Sequence, residues 1–415
     1  MPAIVYVPHP QATPLLGVFV ARTLPGAEPP FASAGFYRQL SRFGRREGLE
    51  VFVFAADGID WQRREASGYT YDETEGRWRE RRGPLPTVVY DRSFPATRAG
   101  WTRCREQLRQ LVRTPGVQAL GCGLPGKWEV QAMLERDASL RPFLPPTRRL
   151  TGPRPLRALL AEEGSAFLKP QGASHGKGAL YVRRAAPGPN AASAKEGGGA
   201  GQLHEPDAAA AKGGWLVLGR AFDNAPLALQ FAGFGELWQW LSGFARGRSY
   251  LVQRYLSLHT ADGVAFDVRA LVQKDGRGRW QTTGTAVRCG QPGSVTSNLH
   301  GGGAAADAAT FLRRACGEAQ ADAALRTIAE LAARIPPALE AAHGRLAELG
   351  LDFGVDREGR VWLLEANSKP GRAAFKQLAD REVRARTLAN PVRYARFLLQ
   401  QSAATGPLKP AGQQV

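Results

Sequence analysis

The chain has 415 residues, of which 43% are hydrophobic and 22% charged, the composition of a folded protein and not of a disordered one. At about 150 residues per domain it has room for two or three domains. Its 55 basic and 37 acidic residues leave a formal charge of +18, which suits an acidic partner, but the excess is spread nearly evenly, which argues against a basic tail or DNA-binding arm.

Two apolar runs, Ile4–Val7 and Leu15–Val20, predict strands around a proline turn. Residues 35–48 place Phe36, Leu40 and Phe43 at helical spacing. Val51–Phe54 is a short buried strand. Residues 69–82 predict a hairpin turning at Glu75-Gly76, and Val88–Tyr90 is another strand. This strand–helix–strand order predicts an α/β domain over residues 1–120. A helix is expected over 127–140, stopped by Pro142, Pro145 and Pro146. Strands Ala166–Leu168 and Ala179–Val182 flank a Gly-rich loop. Residues 185–214 are low in complexity and predict a surface insertion or linker. Trp215–Leu218 resumes a strand, and 236–245 is a Trp-rich amphipathic helix. Strands are expected at 250–256, 266–273 and 280–288, and a helix over 310–350. A hairpin over 351–365 turns on Glu358-Gly359. The expected units are 1–120, 121–250 with the insertion, 251–400, and a frayed tail at 401–415.

The four cysteines form no CxxC pair and have no histidine cluster beside them, so reduced thiols are expected. The N-terminus lacks the pattern of a signal peptide, and no apolar run nears the roughly 18 residues of a membrane span. These features predict a soluble intracellular protein.

The Gly-rich loop runs Phe167-Leu-Lys169-Pro-Gln-Gly172-Ala-Ser174-His-Gly176-Lys177-Gly178. Glycines let backbone N–H groups wrap phosphate oxygens, Ser174 donates as well, and two lysines neutralise charge. The GxxxxGK[ST] pattern is not met, because three residues separate Gly172 from Gly176 and Gly178 follows the lysine. A phosphate-covering loop between antiparallel strands fits, and so does a plain Gly-rich hairpin.

Glu365 and Asn367 are two apart on a strand and face one side. The Asp356–Gly359 turn folds the preceding strand back, which brings Asp352 beside Glu365. Two carboxylates and an amide oxygen suit Mg²⁺ shared with substrate phosphates. Asp356 and Glu358 read as ordinary turn residues. A glutamate after Val-Trp-Leu-Leu needs a partner.

Together these residues resemble the ATP-grasp superfamily. Lys127 opens a helix, Lys169 leads into the Gly-rich loop, and Leu251–Leu256 resembles the hinge that holds adenine. Asp267-Val-Arg269 resembles the strand whose arginine faces the phosphates. The thirteen-residue step from Asp352 to Glu365, followed by Asn367, resembles the D-alanine–D-alanine ligase type. Arg288 with Thr296-Ser-Asn298-Leu-His300-Gly-Gly-Gly resembles the R…NLHxGG segment of glutamate-adding ligases, with Gly301 where those have arginine. The chain as a whole resembles the YheC/YheD type of endospore coat-associated ATP-grasp proteins. That likeness rests on the GFYRQL helix, Val-Tyr-Asp91-Arg92, Lys127-Trp-Glu and Glu365-Ala-Asn-Ser-Lys-Pro.

The resemblance implies an ATP-grasp fold of mixed α/β and α+β class: an N-terminal α/β domain, a central ATP-lid subdomain and a C-terminal antiparallel catalytic subdomain. It implies ATP and Mg²⁺ as cofactors and an ADP-forming carboxylate–amine ligase. Lys127, Lys169 and Lys177 would hold phosphates, with Gly172, Ser174, Gly176 and Gly178 covering them. Gln253, Tyr255 and Leu256 would seat adenine, Gln253 standing where a glutamate is usual. Asp352, Glu365 and Asn367 would hold Mg²⁺. Arg269, Arg288 and Asn298 would serve the transferring phosphoryl group and the oxyanion, and His300 could orient a substrate. The implied partner is a small-molecule or peptide substrate of acidic character with a spore-coat association, in the cytoplasm or spore, and no nucleic acid is expected. A coat protein that keeps the fold without turnover, and an ATP-grasp kinase, stand as the alternatives.

Overall fold

A computed structural model describes residues 14–172, 176–185, 214–292 and 304–405. The strand expected at Ile4–Val7, Ser174 and His175, residues 186–213 of the insertion, the Thr296–Gly301 segment with Asn298, and the end beyond 405 lie outside them.

The first sheet is built from β1 (Leu15–Val20), α1 (Ala34–Arg46), β2 (Glu50–Asp60), β3 (Glu65–Asp72), β4 (Arg77–Pro84), β5 (Val88–Asp91), α2 (Arg98–Arg113) and β6 (Gln118–Ala119). Its strand order is β4-β3-β2-β1-β5-β6, with β2, β1, β5 and β6 parallel and the β3–β4 hairpin antiparallel. The central strands are apolar throughout because both faces are covered. Leu16, Val18, Val88 and Tyr90 pack on α1, and Phe19 and Val89 pack on the α2 side with Cys104 and Leu111.

The second sheet follows α3 (Lys127–Leu134) and a 3₁₀ turn at Arg141–Phe143. It contains β7 (Thr147–Arg149), α4 (Pro153–Glu163), β8 (Ser165–Pro170), β9 (Leu180–Arg184), β10 (Trp215–Arg220), β11 (Pro226–Phe231), α5 (Phe234–Phe244) and β12 (Tyr250–Gln253). All pairings are antiparallel, in the order β11-β10-β9-β8-β12-β7. Strand alternation sends Ala166, Leu168, Leu180, Val182, Tyr250 and Val252 into a core under α4 and α5. Lys169 and Gln253, one residue out of phase, therefore lie on the other face.

The third sheet contains β13 (Val264–Lys274), β14 (Trp280–Pro292), β15 (Ala304–Asp307), α6 (Ala308–Cys316), α7 (Glu318–His343), β16 (Glu348–Val355) and β17 (Val361–Asn367), and α8 (Ala373–Lys376) and α9 (Arg381–Thr405) follow. The order is β15-β14-β13-β16-β17, all antiparallel. Val268, Ala270, Val272, Val287, Leu349, Leu351 and Phe353 face the helices, packed with Ile328, Leu331 and Ile335 of α7 and with Val130 and Leu134 of α3.

Several elements differ from the sequence expectation. The 127–140 helix ends at Leu134, and an Asp137 carboxylate that accepts from the Ser139 N–H at 2.9 Å sets a turn beyond it. The 310–350 helix is two helices, split where Gly317 takes φ +82°, and Gly344 ends the second before β16 begins at Glu348. The region expected to fray at 401 stays helical to Thr405. Helix α9 packs against the first sheet through Val392, Tyr394, Ala395 and Leu398, so the chain returns to its N-terminal core. Among the described residues no helix is long and apolar enough to cross a membrane.

Candidate functional site

The catalytic candidates gather on the face of the third sheet opposite α7, part of which α8 and α9 cover through Phe375 and Val383, because of one irregularity. In β17, Val361 and Leu363 belong to the core, so regular alternation would send Glu365 there too. Pairing with β16 instead steps from Phe353↔Leu363 to Asp352↔Glu365, leaving Leu364 as the extra residue of a bulge. The bulge shifts the phase of the strand. Glu365 and Asn367 turn to the face that carries Asp352, while Ala366 takes the core position. Asp352 and Glu365 thus stand side by side, as the hairpin reading expected.

Asp352 is the centre of an ion-pair lattice. Arg269, opposite it on β13, donates through Nε and through Nη2 at 3.0 Å. Arg288, from β14, donates to Asp352 Oδ2 at 2.9 Å and to both oxygens of Asp267 at 2.7 and 2.8 Å. Burial alone would raise the Asp352 carboxyl, but the two guanidinium groups outweigh it and hold it below the usual carboxylate range.

Two lysines enter from other elements. Lys127, at the start of α3, places Nζ 3.5 Å from Glu365 Oε1. Lys169, on the open face of the second sheet, donates to the carbonyl of Leu364 at 3.2 Å. The bulged residue is therefore a point of contact between the two sheets. Burial lowers the Lys169 ammonium to about 8; Lys127 adds to the drop, while Glu365 and Asp352 oppose it.

The glycine-rich loop and the hinge are only partly assembled with this cluster. Gly176 and Gly178 take φ +68° and +72°, and Lys177 between them is exposed, as is Gly172. The Gly178 carbonyl accepts from the Tyr250 hydroxyl at 2.9 Å, tying the loop to β12. Gln253 donates an amide N–H to Thr147 Oγ1 at 2.8 Å. Tyr255 lies 4.0 Å from the Tyr181 ring, and burial raises its hydroxyl to about 12. Leu256 follows, partly buried.

Among the described residues no three His, Cys, Asp or Glu side chains gather, so an amide oxygen has to complete any metal set here. Glu365, Asn367 and Asp352 have the hard-oxygen chemistry that Mg²⁺ takes. Asp352 joins only by sharing oxygens that already accept from arginine.

Sequence reasoning missed the link between this face and the first sheet. Lys369, two residues past Asn367, pairs with Asp91 at 2.6 Å and donates to the Ser93 carbonyl at 3.0 Å. Beside it Glu348 is buried and accepts from the Tyr90 hydroxyl at 2.6 Å, Gln273 Nε2 at 2.9 Å and Arg372 Nη1 at 3.2 Å, with Arg92 at 3.5 Å. Burial raises the Glu348 carboxyl, but Arg372 and Arg92 bring it below its ordinary value. A glutamate inside the apolar run Leu346–Leu351 was the available signal, the same one that drew attention to Glu365.

A family model described as YheC/D like ATP-grasp matches residues 116–398, more than half of the chain. The chain belongs to the YheC/D-like ATP-grasp family. Its ATP-grasp fold consists of the α/β sheet followed by the two antiparallel sheets. Endospore coat-associated protein YheD of Bacillus subtilis (strain 168) is 26% identical over 95% of this chain and 80% of its own length. Endospore coat-associated protein YheC of the same organism is 24% identical over 90% of this chain and 95% of its own. A solved structure, that of the D-cycloserine synthetase DcsG, is 15% identical with a TM-score of 0.49 and covers 93% of this chain and 99% of that one.

Proposed function

We propose that this member of the YheC/D-like family is an ATP- and Mg²⁺-dependent carboxylate–amine ligase working through an acyl-phosphate. Its substrate would be an amino acid or an acidic peptide or polymer of the spore coat. The observation that carries the reading is the meeting of Lys127, Lys169, Arg269 and Arg288 around Asp352 and Glu365, at the seam of the two antiparallel sheets. Such a reaction must bring three phosphates and a carboxylate together, so fixed cations are the main thing a protein can supply.

In the first step a carboxylate oxygen attacks the γ-phosphorus and the bond to the bridging oxygen breaks, releasing ADP. In the second an amine nitrogen attacks the acyl carbon, phosphate leaves, and the nitrogen gives its proton to solvent. Lys127 and Lys169 would hold the phosphate oxygens, and the Gly176–Gly178 turn would cover them. Arg288 and Arg269 would face the negative charge that grows in each step. Mg²⁺ held by Glu365, Asn367 and Asp352 would neutralise the phosphates. The coat-associated names of the two Bacillus relatives support the choice of a coat substrate. One observation favours a coat protein without turnover instead: both oxygens of Asp352 already accept from arginine.

The reading is tested with purified protein, ATP and Mg²⁺ against amino acids and acidic peptides. ADP should appear with one class of acceptor and an amide product with it. No ADP with any acceptor, and no rise in melting temperature with ATP, would contradict it. A phosphorylated alcohol without amide would point to a kinase.

Lys169 gives a second expectation. Its folded value of about 8 lies below the ordinary 10.5, so the unfolded chain binds more protons between those values. Lys169 therefore disfavours the fold below about pH 8, and that cost fades as pH rises toward 10.5. Phosphate oxygens favour the charged form, so ATP binding near pH 8.5 should take up at most about three quarters of a proton per site. Calorimetry in two buffers of different ionisation enthalpy measures this. Lys169→Met should weaken binding and abolish the uptake, and equal uptake in the variant would exclude Lys169 as a phosphate contact.

A further inference from the structure

We propose that helix α2 is a docking face for an acidic peptide and leads it toward the catalytic strand; the second half of this statement rests on the ligase reading. The helix buries Cys104 and Leu111 against the first sheet. On another face Arg98, Trp101, Arg105, Arg109 and Val112 follow one another at steps of three and four, a single stripe, and all five are exposed. The helix also carries exposed Arg103 and Arg113, and Glu106 is its one acidic residue.

Helix stability does not account for this pattern. Arg98 sits in the first turn, where the helix dipole disfavours a cation, and that turn holds no acidic residue. Nor does folding account for the apolar part. The exposed large hydrophobic side chains of the described residues are Leu24, Phe94, Trp101 and Val112; two of these four lie on this stripe, and Phe94 shares Lys369 as a neighbour with Trp101. Trp101 is 50% and Phe94 53% exposed, where a monomer would ordinarily cover such rings.

One end of the stripe leads to the candidate site. At the N-terminal end Lys369 Nζ lies 5.6 Å from the Trp101 ring and 5.7 Å from the Phe94 ring. Lys369 is two residues past Asn367, so the stripe starts at the candidate catalytic strand. Sixteen helical residues span about 24 Å, the length of about seven extended residues. Arginines pair two-pronged with carboxylates, and the interleaved Trp101 and Val112 suit apolar side chains between the acidic ones. A carboxylate-bearing chain lying here would have its end beside the residues proposed to activate a carboxylate.

The test uses the full chain and a fluorescein-labelled, glutamate-rich peptide of about ten residues with a central leucine, read by fluorescence anisotropy at low salt. Arg98→Glu/Arg105→Glu/Arg109→Glu should weaken binding more than about tenfold. Arg154→Glu/Arg314→Glu/Arg326→Glu makes the same charge change on exposed arginines elsewhere and should weaken it less than about threefold. Trp101→Ala should weaken it with no change in charge. The ATP-dependent shift in melting temperature should stay in every variant, which separates failure of this face from failure of the ATP reading. Equal losses in the two triple variants, or wild-type binding by the first, would overturn the proposal. So would displacement of the peptide by an oligonucleotide of equal charge at equal concentration, which would assign the face to nucleic acid.

Discussion

Replacing Glu348 by alanine is expected to destabilise the protein by about 3–5 kcal/mol, the cost of breaking a buried ion pair from one side. The Glu348 side chain is 2% exposed and Arg372 beside it 4%, so neither cation nor anion falls back on water. Arg372 and Arg92 already hold buried Nε atoms without partners. Without the carboxylate two guanidinium groups would face each other with the Tyr90 hydroxyl between them. Urea unfolding followed by tryptophan fluorescence measures the loss. Arg372→Met should cost a similar amount. The double variant should cost less than the two single losses together, because it removes both charges of the main pair. Additive losses would mean that Glu348 and Arg372 are not a coupled pair. Because this cluster joins β5, β16 and the chain past β17, turnover should fall along with stability.

Replacing Glu365 by glutamine should have the opposite balance. The Glu365 side chain is 31% exposed and its pair with Lys127 is loose at 3.5 Å, so the fold should lose no more than about 1 kcal/mol. ADP formation should nevertheless fall by more than about a hundredfold, since the variant removes the most open anionic oxygen of the proposed metal set. Turnover that survives would show the metal assignment to be wrong. A large drop in melting temperature would show that Glu365 serves structure instead.

The legible parts of the site are those with a local signature. Asp352, Glu365 and Asn367 lie on one hairpin, so strand period and turn chemistry brought them together on paper. Which face they occupy was not legible. It depends on the Leu364 bulge, and plain alternation from Val361 and Leu363 would have buried Glu365. The Lys169 contact with Leu364 joins positions 195 residues apart and has no local trace. Helix α9 went unread because Pro391 and scattered arginines interrupt its apolar pattern, and its partner surface is the first sheet. The hydrogen bond of Gln253 to Thr147 was not legible, because β7 and β12 meet only in the fold.

The most direct test is to trap the activated acid. The protein is incubated with ATP, Mg²⁺, an acidic peptide and hydroxylamine, which captures an acyl-phosphate whatever the natural amine is. The expected result is a peptide hydroxamate formed in step with ADP, and lost in the Glu365→Gln variant. ADP released without hydroxamate, or no ADP at all, would contradict carboxylate activation at this site.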